Sequence, residues 1–204
     1  MPSKTIHLPE PRHDSGVALE AALRQRRSLR EFSDAALTLG ELSQLVWAAQ
    51  GITHGDGFRT APSAGALYPL EVYVVAGRVQ DLACGVYKYR PRGHQLTRIK
   101  QEDLRAALAT AALEQSCVND GAALLVFCAV PERTTRKYGQ RGVRYVHMEA
   151  GHAAQNVFLQ ASALGIGAVV VGAFDDAQVR QIVGTAEGEY ALYMMPVGRP
   201  PQPR

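Results

Sequence analysis

A long amphipathic pattern from Tyr145 to Leu164 most constrains how this chain can fold. Apolar residues recur there at every third or fourth position, and Gly165 supplies a stop. Most of the resulting face is alanine, and small residues let a neighbouring helix approach closely. We therefore expect a helix at a tight interface, with an interface between subunits as a candidate. The face comprises Val146, Ala150, Ala153, Val157, Ala161 and Leu164.

The rest of the chain alternates helix and strand signals. Thr38 and Glu41 stand in capping-box register and begin a helix that closes on Gly51. β-Branched and aromatic residues predict a strand between Pro69 and Gly77 and a hairpin partner at Gly85–Arg90. We expect one domain over 1–204 with α and β elements around one sheet, and 1–15 as a flexible or extended arm. Further helices are predicted at Val17–Arg27, Glu102–Gln115 and Asp175–Val183, and strands at Ala122–Val130, Gly167–Phe174 and Glu189–Pro200.

Composition predicts a cytoplasmic protein. No apolar run approaches the roughly 20 residues of a membrane helix, and the N-terminus lacks the apolar core of a signal peptide. The three cysteines have no CxxC spacing, so they are interpreted as small core residues rather than a disulfide or zinc framework. His147 and His152 are five apart and do not share a helix face, so no metal site is predicted.

Four arginines lie within the seven residues from Arg24 to Arg30, although the formal net charge is only +3. Arg26 and Arg30 would share a face if the helix continued, with the Ser28 hydroxyl between them. This set fits a phosphate monoester, whose oxygens arginine meets in a planar, bidentate way. Composition alone favours a solvated basic helix end instead. Nucleic acid ranks last because no aromatic-interleaved basic stripe accompanies the cluster.

Four segments, taken in order, resemble the nitroreductase family of FMN-dependent oxidoreductases. They are "RRSLREF", "APSAGALYPLEVYVV", "YVHMEAGHAAQNVFLQASALGIGAVVVGAF" and "PVGRP", which together span Arg26 to Arg199 and beyond. The second and third are similar to the azoline-oxidase branch, the dehydrogenases of thiazole- and oxazole-modified peptides. The resemblance implies an α+β nitroreductase fold, in which helices flank a central mixed β-sheet, and a homodimer with flavin sites between subunits.

The same resemblance implies a set of FMN-binding residues. Arg26, Ser28, Arg30 and Arg199 would surround the phosphate, and the Pro-Ser loop would contact a flavin bound mainly by the partner subunit. Backbone at Gly172 and Ala173 would face flavin N5, where many members carry an acidic residue in place of Gly172. The full set is Arg26, Arg27, Ser28, Arg30, Pro62, Ser63, Ala64, Ala66, Gln155, Val171, Gly172, Ala173, Gly198 and Arg199.

Lys137 and Tyr138 resemble the azoline-oxidase Lys-Tyr motif, whose residues assist proton removal, although Arg136 replaces the usual leucine before the pair. The alternative interpretation is an ordinary basic surface loop. Two activities follow from the family: NADH- or NADPH-dependent reduction of nitroaromatic or quinone-like compounds, and dehydrogenation of azolines in a modified peptide. A flavin-binding or phosphorylated-ligand-binding module without turnover remains the alternative from another class. We expect no nucleic-acid or membrane partner.

Overall fold

The computed structural model describes residues 4–201. Its strands and helices agree with most of the sequence pattern. Helix α2 has the predicted capping box, since the Thr38 hydroxyl accepts from the Glu41 N–H and the Glu41 carboxylate accepts from the Thr38 N–H. In chain order the elements are β1 (Thr5–His7), α1 (Leu19–Gln25), α2 (Leu39–Gln50), β2 (Leu70–Ala76), β3 (Gly85–Arg90), β4 (Gln95–Lys100), α3 (Arg105–Ala111), α4 (Ser116–Asp120), β5 (Ala123–Ala129), α5 (Glu132–Tyr138), α6 (Arg141–Ala163), β6 (Gly167–Ala168), α7 (Asp176–Val183) and β7 (Tyr190–Gly198).

The strands form one sheet in the order β1-β4-β3-β2-β5-β7-β6. Every ladder between these strands is antiparallel within residues 4–201, which suits the short connections from β2 through β3 to β4. The parallel component of the expected mixed sheet is limited to single bridges, Ser28 to Ala168 and Leu37 to Val79. The α+β class and the flanking helices are as predicted.

Helices cover both faces of the sheet. One core contains the apolar faces of α2 and α6, and the other contains residues of α3, α4 and α7. The alanine face of α6 packs against α2 inside the chain, where Ala150, Ala153 and Val157 join Leu42 and Leu45 in the first core. The close approach that small residues permit is therefore used within the chain, and the alanine face is not free for another subunit.

Two predicted elements are shorter in the structure, and one cysteine is placed differently from the prediction. Leu113 and Glu114 adopt positive φ, so the predicted helix at 102–115 ends early and α4 begins separately. The strand expected at 167–174 is confined to β6 and one bridge from Val171 to Met194. Of the cysteines, Cys84 is exposed rather than in the core.

The structure describes the predicted N-terminal arm from residue 4 onward. Part of the predicted N-terminal arm is extended, because β1 pairs with β4 at the sheet edge; residues 1–3 lie outside the described range. Among residues 4–201, no helix combines the length and apolarity that a membrane crossing requires.

Candidate functional site

The arginine motif lies just after helix α1, which ends at Gln25. The chain then runs extended beside β6, where the Leu29 N–H donates to the Ala168 carbonyl at 2.9 Å. The helical face that Arg26 and Arg30 were expected to share does not form. Instead the Arg26 guanidinium lies 5.2 Å from the centroid of the Phe158 ring on α6.

The charge of Arg30 acts on the thiol of Cys117, which belongs to α4. Burial raises the pKa of Cys117, and the positive charge of Arg30 opposes that rise. Arg26 therefore lies against Phe158 of α6, whereas Arg30 acts on a residue of α4, and the two do not stand one turn apart on a helix.

Within the described range, no carboxylate neutralises the charges of this motif. Among the described residues, Arg26, Arg27 and Arg30 form no ion pair with a carboxylate. Arg27 Nη1 donates to the backbone carbonyls of Arg24 and Arg26 at 2.9 and 2.8 Å, which holds the turn after α1. Guanidinium groups that follow one another closely after α1 and have no carboxylate partner in the described range suit a multiply charged anion.

The C-terminal end of β7 lies beside the same segment. The Ser33 N–H donates to the Arg199 carbonyl at 2.9 Å, and Gly198 pairs with Gly167. A Cβ at Gly198 would lie 3.0 Å from Phe32 Cδ1, so this close approach requires glycine. Arg199 itself is paired, with Nη2 at 2.6 Å from Glu41 Oε1. To contact a phosphate as predicted, the Arg199 guanidinium would have to bind the phosphate together with the Glu41 carboxylate or in place of it.

The Pro-Ser loop and the Lys-Tyr pair lie against each other. Gly65 turns the loop with φ +64°, and a Cβ built there would lie 2.8 Å from Tyr138 Oη and 3.1 Å from Lys137 Nζ. The Ser63 hydroxyl oxygen accepts from the Tyr68 N–H at 2.9 Å, which closes the loop. Pro62 and Ala66 are exposed and Ala64 is half-buried. Two motifs that are over 70 positions apart in the chain thus meet at one surface.

Lys137 and Tyr138 lie at the end of helix α5, where a basic loop was the alternative interpretation. One turn earlier, Arg133 donates to the Tyr68 carbonyl at 3.0 Å and forms an ion pair with Glu71 on β2. These contacts fasten α5 to the Pro-Ser loop and to the sheet, so they fix where the Lys-Tyr pair stands. The Tyr138 ring also packs edge-on against Tyr145, with centroids 5.2 Å apart.

Glu71 also belongs to a buried network of charged side chains. Lys88 bonds Glu71 at 3.1 Å and also pairs with Glu189, which accepts a hydrogen bond from the Tyr73 hydroxyl. Burial works to raise the pKa of Glu189, but the bonds from Lys88 and Tyr73 outweigh it and hold that pKa below its usual range. Burial and the neighbouring Glu189 raise the pKa of Tyr73, which therefore keeps its proton. The network keeps opposite charges together in the interior.

Glu149 is a buried acid beside the Pro-Ser loop that the sequence analysis missed. It is 2% exposed, and its Oε1 has no hydrogen-bond partner among the described residues. Burial raises its pKa to about 7, and the Ser63 hydroxyl and the Arg59 guanidinium oppose that rise. The signal in the sequence is an acid three positions after Val146, next to the apolar face of α6.

The predicted flavin-edge residues form a third region. Gly172 and Ala173 are exposed, and a Cβ at Gly172 would meet nothing nearer than Tyr193, at 3.9 Å. The Ala173 carbonyl accepts from Gln115 Nε2 at 3.2 Å, while Val171 bridges to β7. Gln155 is exposed on α6, so its amide is available at the surface.

Within one chain these regions are spread along α6. Glu149 lies next to the Pro-Ser loop, and Phe158 lies beneath the Arg26 guanidinium. Nine residues of α-helix separate them, which is about 14 Å along the axis at 1.5 Å per residue. One chain therefore brings Gly65 to Lys137 and Tyr138. The arginine motif of that chain lies near a different part of α6, about 14 Å away along the helix axis.

Comparison with known proteins places the chain in a family. The family model described as "Nitroreductase family" matches residues 23–199. The chain is 51% identical over 183 residues to a candidate nitroreductase of Methanocaldococcus jannaschii, covering 90% of this chain and 91% of that protein. It is 30% identical over 142 residues to the microcin B17-processing protein McbC of Escherichia coli, covering 66% of this chain and 52% of that protein.

Solved structures agree with the family match. A candidate nitroreductase from Ralstonia eutropha superposes with a TM-score of 0.84 at 32% identity, covering 97% of this chain and 90% of that chain. An NADPH:FMN oxidoreductase from Vibrio harveyi, complexed with NAD+, superposes with a TM-score of 0.66 at 22% identity, covering 90% of this chain and 69% of that chain. The second likeness shows the fold alone.

Proposed function

The chain belongs to the nitroreductase family and is an oxidoreductase, and we propose that FMN is its cofactor and that it transfers hydride through that flavin. The observation that carries the proposal is the set of guanidinium groups at Arg26, Arg27 and Arg30. They lack carboxylate partners among the described residues and lie where a phosphate dianion would supply the missing charge.

The local backbone is compatible with a flavin. The open space at Gly172 would let a planar ring approach the backbone of residues 171–173, because no side chain of Gly172 stands in the way. When bound, FMN supplies hydride acceptance and donation at N5, and the protein supplies binding and orientation. Arg26 and Arg30 would hold the phosphate, and the backbone at Gly172 and Ala173 would approach the ring edge.

A site built from two copies of this chain accounts for the spread of the predicted residues. The arginine motif and the Pro-Ser loop lie about 14 Å apart along α6. In the proposed homodimer, the loop of one subunit covers the flavin that the other subunit holds. Lys137 and Tyr138 would then face the flavin of the partner, because Gly65 brings them to the same loop.

The convergence at Gly65 favours azoline-type dehydrogenation as a specific form of the reaction. That reaction removes a proton and a hydride from the substrate, so it requires a group that receives the proton as well as a flavin. Lys137 Nζ and Tyr138 Oη meet at one position beside the loop and would serve that purpose. McbC, a relative of 30% identity, processes microcin B17, which supports a modified peptide as the substrate class. Reduction of nitroaromatic or quinone-like compounds by NADH or NADPH is the second candidate activity.

The cofactor proposal is tested with the double variant Arg26→Ala/Arg30→Ala. We expect it to lose FMN, with a dissociation constant raised by at least about a hundredfold, because each charge-assisted contact contributes more than about 1.4 kcal/mol. Urea unfolding of the FMN-free proteins should change by about 1 kcal/mol or less, since neither side chain has an ion-pair partner among the described residues and only the contact of Arg26 with Phe158 is lost. The matched control is Arg24→Ala/Arg180→Ala, which removes two exposed arginines. Unchanged FMN affinity in the first variant would reject the phosphate site.

Turnover separates an enzyme from a binding module. In one arm, the flavin-loaded protein would be mixed anaerobically with NADH or NADPH and then with a quinone; in a second arm, the oxidised protein would be mixed anaerobically with an azoline-containing peptide alone. Bleaching by the nucleotide followed by reoxidation with the quinone is expected for the nitroreductase activity, whereas bleaching by the peptide itself is expected for the dehydrogenase. Flavin that none of these compounds reduces would indicate binding without turnover.

A further inference from the structure

A cavity beside the Pro-Ser loop carries a second concentration of arginine. It has a volume of about 680 Å³ and lies between the loop that follows α2 and the β3–β4 hairpin. Its charged lining consists of Arg59, Arg90 and Arg92 against one acid, Asp56. Such a volume lies within the range of about 300–1,000 Å³ typical of small-molecule sites.

The positive charge in this cavity is largely uncompensated. The single acid, Asp56, lies 3.2 Å from the His54 ring nitrogen and is well exposed. Within residues 4–201, none of Arg59, Arg90 and Arg92 forms an ion pair. Arg59 also interacts with the carboxylates of Glu71 and Glu149, so the local excess of positive charge is mainly that of Arg90 and Arg92, and an anionic ligand would balance it.

Arg59 is held in place as a binding residue would be. Its guanidinium stacks 4.5 Å from the centroid of the Tyr68 ring, and its Nη1 donates to Gln50 Oε1 at 2.6 Å. Its Nε and Nη2 donors have no acceptor among the described residues. A cation that is fixed by stacking, with donors left over, loses little further freedom when it binds an oxyanion.

We propose that this cavity, which we name the Arg59–Arg90–Arg92 pocket, binds the oxyanion group of a small organic ligand, either a phosphate or a carboxylate. Arginine forks match both groups in a bidentate geometry. Ala66 and Tyr68 line the pocket as well, so a ligand anchored there lies against the Pro-Ser loop. The pocket is separate from the arginine motif that is proposed for the FMN phosphate.

Two sources could carry the oxyanion to this position. One is the 2′-phosphate of NADPH, which NADH lacks, and the other is a carboxylate on the molecule that is oxidised or reduced. Either assignment rests on the proposed function, whereas oxyanion binding itself does not. The test therefore measures binding directly and keeps the two questions apart.

Calorimetric titration with pyrophosphate and with citrate, in the presence of saturating FMN, tests the pocket. The variant Arg90→Gln/Arg92→Gln leaves the stacked Arg59 in place and should weaken binding of at least one probe on the order of tenfold or more. The control Lys4→Gln/Arg180→Gln removes two exposed cations elsewhere and should bind as the wild type does. Equal affinities in both variants, or no binding of either probe to the wild type, would overturn the proposal.

Two further arms exclude the other arginine cluster and identify the source. Titration of the Arg26→Ala/Arg30→Ala variant without FMN should still detect the probe; loss of binding there, with binding retained by FMN-free wild type, would assign it to the motif and overturn the proposal. Tighter binding of NADPH than of NADH, abolished by Arg90→Gln/Arg92→Gln, supports the phosphate source. Citrate binding without preference between the nucleotides supports the carboxylate source. Loss of FMN in the motif variant is scored separately, so failure of the cofactor proposal leaves this result readable.

Discussion

Replacing Glu149 by glutamine tests whether the Pro-Ser loop rests on an acid that is neutral in the folded protein at low pH. The side chain is 2% exposed and contributes an Oε1 without a partner among the described residues. Glutamine keeps the shape of the protonated acid and removes its titration. The change therefore isolates the free energy of carrying a charge at this position.

The magnitude follows from the raised pKa. The unfolded chain releases the Glu149 proton near 4.5, whereas burial holds the pKa of the folded chain at about 7. As the pH rises from 4.5 to 7 the unfolded state gains charge first, so stability falls through that window and levels off above it. A difference of about 2.5 units at 1.36 kcal/mol each gives a loss of about 3 kcal/mol at pH 8.

Urea unfolding of Glu149→Gln and wild type at pH 4 and pH 8 measures this loss. We expect the variant to be more stable than wild type by up to about 3 kcal/mol at pH 8 and about equal to it at pH 4. Glu187→Gln, which changes an exposed glutamate, is the matched control and should show no such pH dependence. A Glu149→Gln effect of the same size at both pH values would mean that the change in stability arises from packing and not from the charge of Glu149.

Two further substitutions test the architecture around this acid. Gly65→Ala places a Cβ at positive φ and 2.8 Å from Tyr138 Oη, and should lower stability by about 1–2 kcal/mol in thermal unfolding; an unchanged melting temperature would contradict the contact between the loop and α5. Lys88→Met leaves Glu189 buried without its cation and should cost about 3–5 kcal/mol at neutral pH, measured with urea, and a loss below 1 kcal/mol would contradict a buried pair.

Local signals were enough to predict much of the fold. The capping box of Thr38 and Glu41 and the β-branched and aromatic residues of β2 and β3 are local features of the chain, and the structure has those elements nearly as predicted. Helix α5 was missed as an element because its sequence, "ERTTRKY", is polar throughout and has no apolar period. It is held instead by Arg133, whose partners Tyr68 and Glu71 are about 60 positions away.

The site was less predictable because its important contacts are long-range. The sequence indicated Lys137 and the Pro-Ser loop separately, and only the fold brings them together at Gly65. Burial raises the pKa of Glu149, and the rise is opposed by Arg59, which is 90 positions earlier. The carboxylate that pairs with Arg199 lies on α2, and nothing near Arg199 in the chain indicates it.

The visible absorption spectrum of the purified protein, followed by release and identification of any chromophore, shows whether the chain holds FMN. We expect a yellow protein that yields about one FMN per chain, because the arginine motif of each chain would hold one phosphate. A colourless protein that also takes up no added FMN would reject FMN as the cofactor, and the arginines after α1 would then be a solvated helix end.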